Sequence, residues 1–237
     1  MKSTNSFYET LGLKLRACRK AKNVTLAELA ENLNKSLSTV SKYEKGEIAI
    51  DVEVLADYCA YLDLDMAYIL PVTKKTAQNT KMERYQEHSI DQLYVYFYKP
   101  EGNLLRTCVI ENNNATLKAV MYYDVHDLSD IYDCSFIYFG KVVYTDTNIY
   151  FVGQNAAPPY DILTLSIPNM SSPNSSTGKG YRPGLMNTLT FYYQMVSIKC
   201  IVSREPITDK KLLLDKLPLT PEEIKWVKNS NVFNIFI

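Results

Sequence analysis

The sequence predicts an α+β protein of two domains. A bundle of five short helices occupies residues 1–72, and residues 73–90 link it to a β-rich domain over residues 91–237. That second domain is a mainly antiparallel β-sheet or barrel-like structure with a C-terminal helix. Three observations carry the prediction. Apolar residues recur at helical spacing as far as Val72. Pro71 and a polar stretch then end that pattern. From Gln92 onward, short runs rich in Val, Ile, Tyr, Phe and Thr alternate with turn residues.

In the first domain, Leu11, Leu15 and Cys18 stand at i, i+4 and i+7, one apolar stripe on one helix. Leu29 with Leu33, Val40 with Tyr43, and Val52, Leu55, Cys59 and Leu62 mark three more. Thr25 precedes Leu26-Ala27-Glu28, so its hydroxyl and the Glu28 carboxylate can form a capping box. Asp51 is placed to cap the fourth helix, and Asp65 a short fifth one ending near Leu70.

Thr73 to Ile90 is polar, with Lys74, Lys75, Lys81 and Arg84 against Glu83 and Glu87, and reads as a slightly basic linker. Strands are expected over Leu93–Tyr98, Leu104–Ile110, Thr116–Tyr123, Ser135–Val143, Asn148–Val152, Ile162–Ile167 and Thr188–Val202. A sheet or barrel of six to nine strands follows. Pro168–Gly184, rich in Pro, Ser, Asn and Gly, reads as a loop. Thr220 followed by Pro221 opens a helix running to about Lys228, and Val232–Ile237 reads as a last strand.

Composition narrows the function. The 237 residues carry 26 Lys and Arg against 26 Asp and Glu, so bulk nucleic-acid coating is not expected, although a single basic face would suffice for specific reading. The five cysteines are odd in number and widely spaced, with no Cys-x-x-Cys pair, which suits buried thiols in a reducing compartment. Two histidines make a His-rich metal centre improbable, and no cofactor is expected. No apolar run is long enough for a membrane span, and the N-terminus lacks a secretory core. A cytoplasmic protein is expected.

Residues Leu11 to Leu70 resemble the Cro/CI-type helix-turn-helix of the Xre family. The resemblance rests on Leu15-Arg16-x-x-Arg19, on Thr25-Leu26-Ala27-Glu28-Leu29-Ala30, and on the stretch Ser36-Leu37-Ser38-Thr39-Val40-Ser41-Lys42-Tyr43-Glu44-Lys45-Gly46. Ala30 supplies the small side chain where the second and third helices cross. Asn34 stands at the turn, where asparagine tolerates the left-handed conformation better than most residues. The resemblance implies an ion pair between Arg19 and Glu44, tying the first helix to the end of the third. It implies a third helix lying in the major groove of double-stranded DNA, with Leu37, Ser38, Ser41 and Lys42 at base edges. Thr25, Ser36, Thr39, Lys45 and Arg16 are then placed for phosphates, helped by amides at the start of the second helix.

The family implies a transcriptional regulator, expected to be a repressor that binds an inverted repeat as a homodimer. The alternative is a protein-binding inhibitor or antitoxin, phage- or mobile-element-encoded, whose helix-turn-helix represses its own promoter. The β-rich domain is expected to sense a small-molecule or protein effector, or to associate. Tyr94, Tyr96, Phe97, Tyr138 and Phe139 are candidates for a pocket in a barrel mouth or for ordinary core. Enzymatic chemistry is not expected. Ser197-Ile198-Lys199 is too compact for a Ser-Lys peptidase pair, Thr177-Gly178-Lys179-Gly180 lacks a phosphate-loop setting, and Asp124-Val125-His126-Asp127 reads as an exposed turn.

Overall fold

The computed structural model describes residues 7–70, 91–99, 104–114, 116–168, 180–188 and 196–230. Five helices come first: α1 Phe7–Ala21, α2 Leu26–Asn32, α3 Leu37–Lys45, α4 Val52–Tyr61 and α5 Met66–Ile69. Their starts are chemical. Thr25 forms the full capping box with Glu28, Ser36 accepts from the Thr39 N–H, Asp51 from the Glu53 N–H and Asp65 from the Ala67 N–H. Leu15, Leu29 and Val40 are fully buried and hold the bundle together.

The second domain is a closed barrel of eight antiparallel strands: β1 Gln92–Lys99, β2 Leu104–Asn112, β3 Lys118–Asp127, β4 Asp130–Tyr144, β5 Asn148–Asn155, β6 Ile162–Pro168, β7 Tyr181–Thr188 and β8 Val196–Ser203. Each strand pairs with its sequence neighbours, and β1 closes on β8 with Tyr96 opposite Ile201. Two helices follow, α6 Lys210–Lys216 and α7 Pro221–Ser230. The sequence pattern shows only the second, because α6 is short.

Alternation along each strand divides the side chains between the barrel interior and its outer wall. Val95, Phe97, Met121, Tyr123 and Tyr138 fill the interior. Of the five aromatic residues considered for a pocket, Phe97 and Tyr138 therefore belong to packed core. Tyr94, Tyr96 and Phe139 face outward: Tyr96 packs with Ile201, Leu213 and Leu217 beneath α6, and Phe139 stacks on Tyr68 of α5 with ring centroids 5.2 Å apart. Buried thiols behave as small hydrophobes, and burial pushes those of Cys18 and Cys134 up to about 12.

Three expectations for the β-rich domain are corrected. The run from Thr188 to Val202 is not one strand, since β7 ends at Thr188 and β8 begins at Val196. Tyr181–Gly184, expected in a loop, lies in β7. Only Leu185–Asn187 of that strand pair with β6, so Pro183 stands where that ladder is absent and its missing N–H leaves no gap there. Asp124–Asp127 belongs to β3 rather than to a turn. The register shifts between Val125 and Asp127, and Asp124 adopts a left-handed φ of 58° with its carboxylate held 2.9 Å from Arg106 Nη1. The expected linker over 73–90 and last strand over 232–237 lie outside the described residues.

The helical domain does not stand apart from the barrel. Leu11, Leu15, Cys18 and Ile69 share one apolar cluster with Val109, Val120, Tyr122 and Ile137 from the outer wall of β2, β3 and β4. Two ion pairs cross the same seam. Lys14 Nζ lies 2.8 Å from Glu111, which also accepts from the Tyr122 hydroxyl at 3.1 Å. Lys118 Nζ meets Asp65 at 2.5 Å and sits 4.8 Å above the Tyr68 ring.

Candidate nucleic-acid interface

The presentation of α3 begins with Arg19 near the end of α1. Its Nε and Nη2 donate to the two carboxylate oxygens of Glu44 at 2.6 and 2.8 Å, and Nη1 donates to the Val24 carbonyl at 2.8 Å. A two-pronged contact of this kind fixes angle as well as distance. The Tyr58 hydroxyl of α4 donates to the same Glu44 at 2.8 Å. Glu44 is almost entirely buried. Its hydrogen bond and charge raise the Arg19 guanidinium above its ordinary value, and burial beside that carboxylate pushes the Tyr58 phenol upward. One carboxylate thus locks the end of α3 to α1 and α4 together.

The outer side of α3 is open. Leu37, the first residue of the helix, is 54% exposed. Ser38 and Lys42 are also exposed, and Ser41 is half-buried between them and the bundle. At i, i+1, i+4 and i+5 these four share one side of the helix. The hydroxyls at the helix start are already linked: Ser36 Oγ lies 3.0 Å from Ser38 Oγ and 2.7 Å from Thr39 Oγ1. Ser36 thereby orients Ser38. Asn34 turns the chain into α3 with a φ of 50°, and Gly46 ends the helix with a φ of 69°. The Gly46 N–H bonds to the Tyr43 carbonyl and the Glu47 N–H to that of Lys42, a left-handed helix stop.

Residues 15–69 match the family model described as helix-turn-helix. Residues 15–69 therefore form a helix-turn-helix domain of the Cro/CI type. The match covers the DNA-binding fold of transcriptional regulators and does not extend into the barrel. The crystal structure of the clp gene regulator ClgR from Corynebacterium glutamicum is 36% identical over 28% of this chain and 86% of that chain, with a TM-score of 0.27. A second crystal structure of the same regulator is 37% identical over 27% of this chain and 69% of that one, again with a TM-score of 0.27. No curated protein matches the chain.

In this helix-turn-helix, the Arg19–Glu44 pair expected from the resemblance is present, and so are the Asn34 turn and the Gly46 stop. Ala30 is buried, as a close crossing of α2 and α3 requires. Thr25 and Arg16 are exposed, on the α1–α2 corner and on α1 respectively. Lys45 is exposed but lies 3.7 Å from Glu47, which tempers its charge. Two supporting residues escaped the sequence. Tyr58 lies 14 positions beyond Glu44 and carries no motif. Gly12 is the other: a Cβ there would meet the Tyr43 carbonyl oxygen at 2.5 Å and that of Glu44 at 2.8 Å, so α1 and α3 touch backbone to backbone.

Ser197, Lys199 and His126 each have a partner of their own in the barrel. Ser197 donates to Asn187 Oδ1 at 2.6 Å, while Lys199 is buried against Glu223 at 2.9 Å, where it pins α7 to β8. The two side chains serve different partners. His126 Nδ1 lies 3.2 Å from Asp133, both well exposed, on the rim of a hairpin. No described helix is long and apolar enough to cross a membrane.

Proposed function

We propose that this chain is a sequence-specific transcriptional repressor of the cytoplasm that binds an inverted repeat in double-stranded DNA as a homodimer. One observation carries the reading: the Arg19–Glu44–Tyr58 lock holds α3 in place while Leu37, Ser38 and Lys42 stand exposed on its outer side. A helix held in this way enters the major groove with its first residues nearest the bases. Lys42 donates to guanine O6 or N7, Leu37 meets a thymine methyl, and Ser38 and Ser41 pair with donors or acceptors on neighbouring edges. Thr25, Ser36, Thr39, Lys45 and Arg16 contact the backbone and set the register.

With nine Lys and Arg against ten Asp and Glu in residues 1–73, nonspecific attraction is modest, and affinity depends on two modules engaging two half-sites. The barrel, its interior filled with side chains, serves association and receives any small-molecule or protein effector on its outer surface or ends. Selecting bound duplexes from a random pool with the full chain tests this. Enrichment of an inverted repeat with half-sites about 34 Å apart supports the reading. Enrichment of no sequence contradicts it.

A further inference from the structure

One element of the barrel reaches the helix-turn-helix at its α1–α2 corner. The connection between β5 and β6 places Tyr160 beside Lys22, whose Nζ lies 5.5 Å from the centre of the tyrosine ring. Tyr160 is 48% exposed, so its ring fills no core, and its φ of 56° is a conformation that a bulky side chain rarely adopts. The connection is nonetheless built firmly. The Tyr160 N–H bonds to the Ala157 carbonyl at 2.9 Å, and Gln154 Nε2 donates to the Tyr160 carbonyl at 3.2 Å. The adjoining Asp161 carboxylate accepts from Asn155 at 3.0 Å and from the Tyr138 hydroxyl at 2.9 Å. An exposed aromatic held in a disfavoured conformation by a dense set of bonds is the kind of outlier from which a function is inferred.

The other side of the corner is equally fixed, because Arg19 ties the Val24 carbonyl to the same guanidinium that grips Glu44 on α3. Lys22 and Tyr160 therefore stand at a constant offset from the recognition helix. In this docking geometry the helix before the recognition helix crosses the DNA backbone, and Lys22 lies three residues ahead of its cap, Thr25. We infer that the Lys22 ammonium and the Tyr160 hydroxyl together form a barrel-assisted contact to a backbone phosphate of duplex DNA, beside the bases read by α3. Both groups donate, as a phosphodiester requires. The ring restrains the lysine before binding, so less side-chain freedom is lost when the phosphate arrives. The inference rests on the reading of α3 as a recognition helix.

The test uses the full chain and the duplex it selects from a random pool, with affinities measured across a salt series. Lys22→Ala and Tyr160→Phe are each expected to weaken binding roughly five- to tenfold. The loss should be equal on the selected and on a scrambled duplex, because a phosphate carries no sequence. Lys22→Ala should also lower the salt slope by about one. Tyr160→Asn separates this role from a structural one: asparagine accepts the left-handed conformation, so the variant should melt no lower than the parent and still bind DNA more weakly. Parent-like affinity and salt slope in Lys22→Ala and Tyr160→Phe, while Ser38→Ala with Lys42→Ala abolishes specific binding, would overturn the inference alone. Failure of the parent to select any duplex would overturn it together with the reading beneath it.

Discussion

At Glu44, one buried carboxylate receives two bonds from Arg19 and one from Tyr58. Removing one member of such a set leaves a charge without its counterpart in a site shielded from water. Glu44→Gln is therefore expected to destabilise the protein by about 3 kcal/mol, read as a shift in the urea midpoint at constant slope. Tyr58→Phe, which spares the ion pair, should cost about 1 kcal/mol. A Glu44→Gln variant as stable as the parent would show that the lock does not hold α3. At this scale legibility was uneven. Asn34, Gly46 and the Thr25–Glu28 box were readable because their chemistry is local. The Arg19–Glu44 pair spans 25 positions and came only through the family resemblance. Tyr58, Lys22 and Tyr160 gave no local signal, since their partners come from distant parts of the chain.

At the scale of elements, two contacts set how the helices lie. The first is the backbone crossing of α1 and α3 at Gly12. Gly12→Ala is expected to cost about 1–3 kcal/mol and to weaken DNA binding, because carbonyl groups, unlike a flexible side-chain end, must move to admit the methyl group. Thermal melts and binding titrations check both. The second joins α5 to β3. Lys118 and the Ala67 N–H hold the Asp65 carboxyl below its ordinary 3.8. A depressed carboxyl contributes stability in full above its unfolded value and loses it as pH falls through the lower folded one. The α5–β3 contact should therefore weaken only below about pH 4, and Lys118→Met should reduce that acid-dependent part to what the Ala67 N–H sustains, as an acid titration of stability would show. Helix boundaries and most strands were legible from periodicity. The strand β7 was not, because Pro183 and Gly184 look like loop residues until the unpaired stretch beside β6 is known.

For the molecule as a whole, the helix-turn-helix and the barrel share one apolar cluster and two ion pairs. The change of pattern near Val72 marked two domains, but not their docking. A trace of it was there to read: Ala119-Val120-Met121-Tyr122-Tyr123 is apolar without alternation, the mark of a strand buried on both faces. Its inward residues fill the barrel, and its outward ones receive α1 and α5. The two parts should consequently unfold in a single transition. Tyr122→Ala, in the barrel wall, should cost about 3–4 kcal/mol and lower hydrogen-exchange protection in α1. Two separate calorimetric transitions in the parent would contradict that coupling. Whether α3 reads bases is measured by comparing the motifs enriched from a random duplex pool by the full chain and by Ser38→Ala with Lys42→Ala. An inverted repeat is expected for the parent and, for the variant, the loss of preference at the positions those side chains contact, with the fold intact. The same motif at the same affinity from both proteins would contradict it.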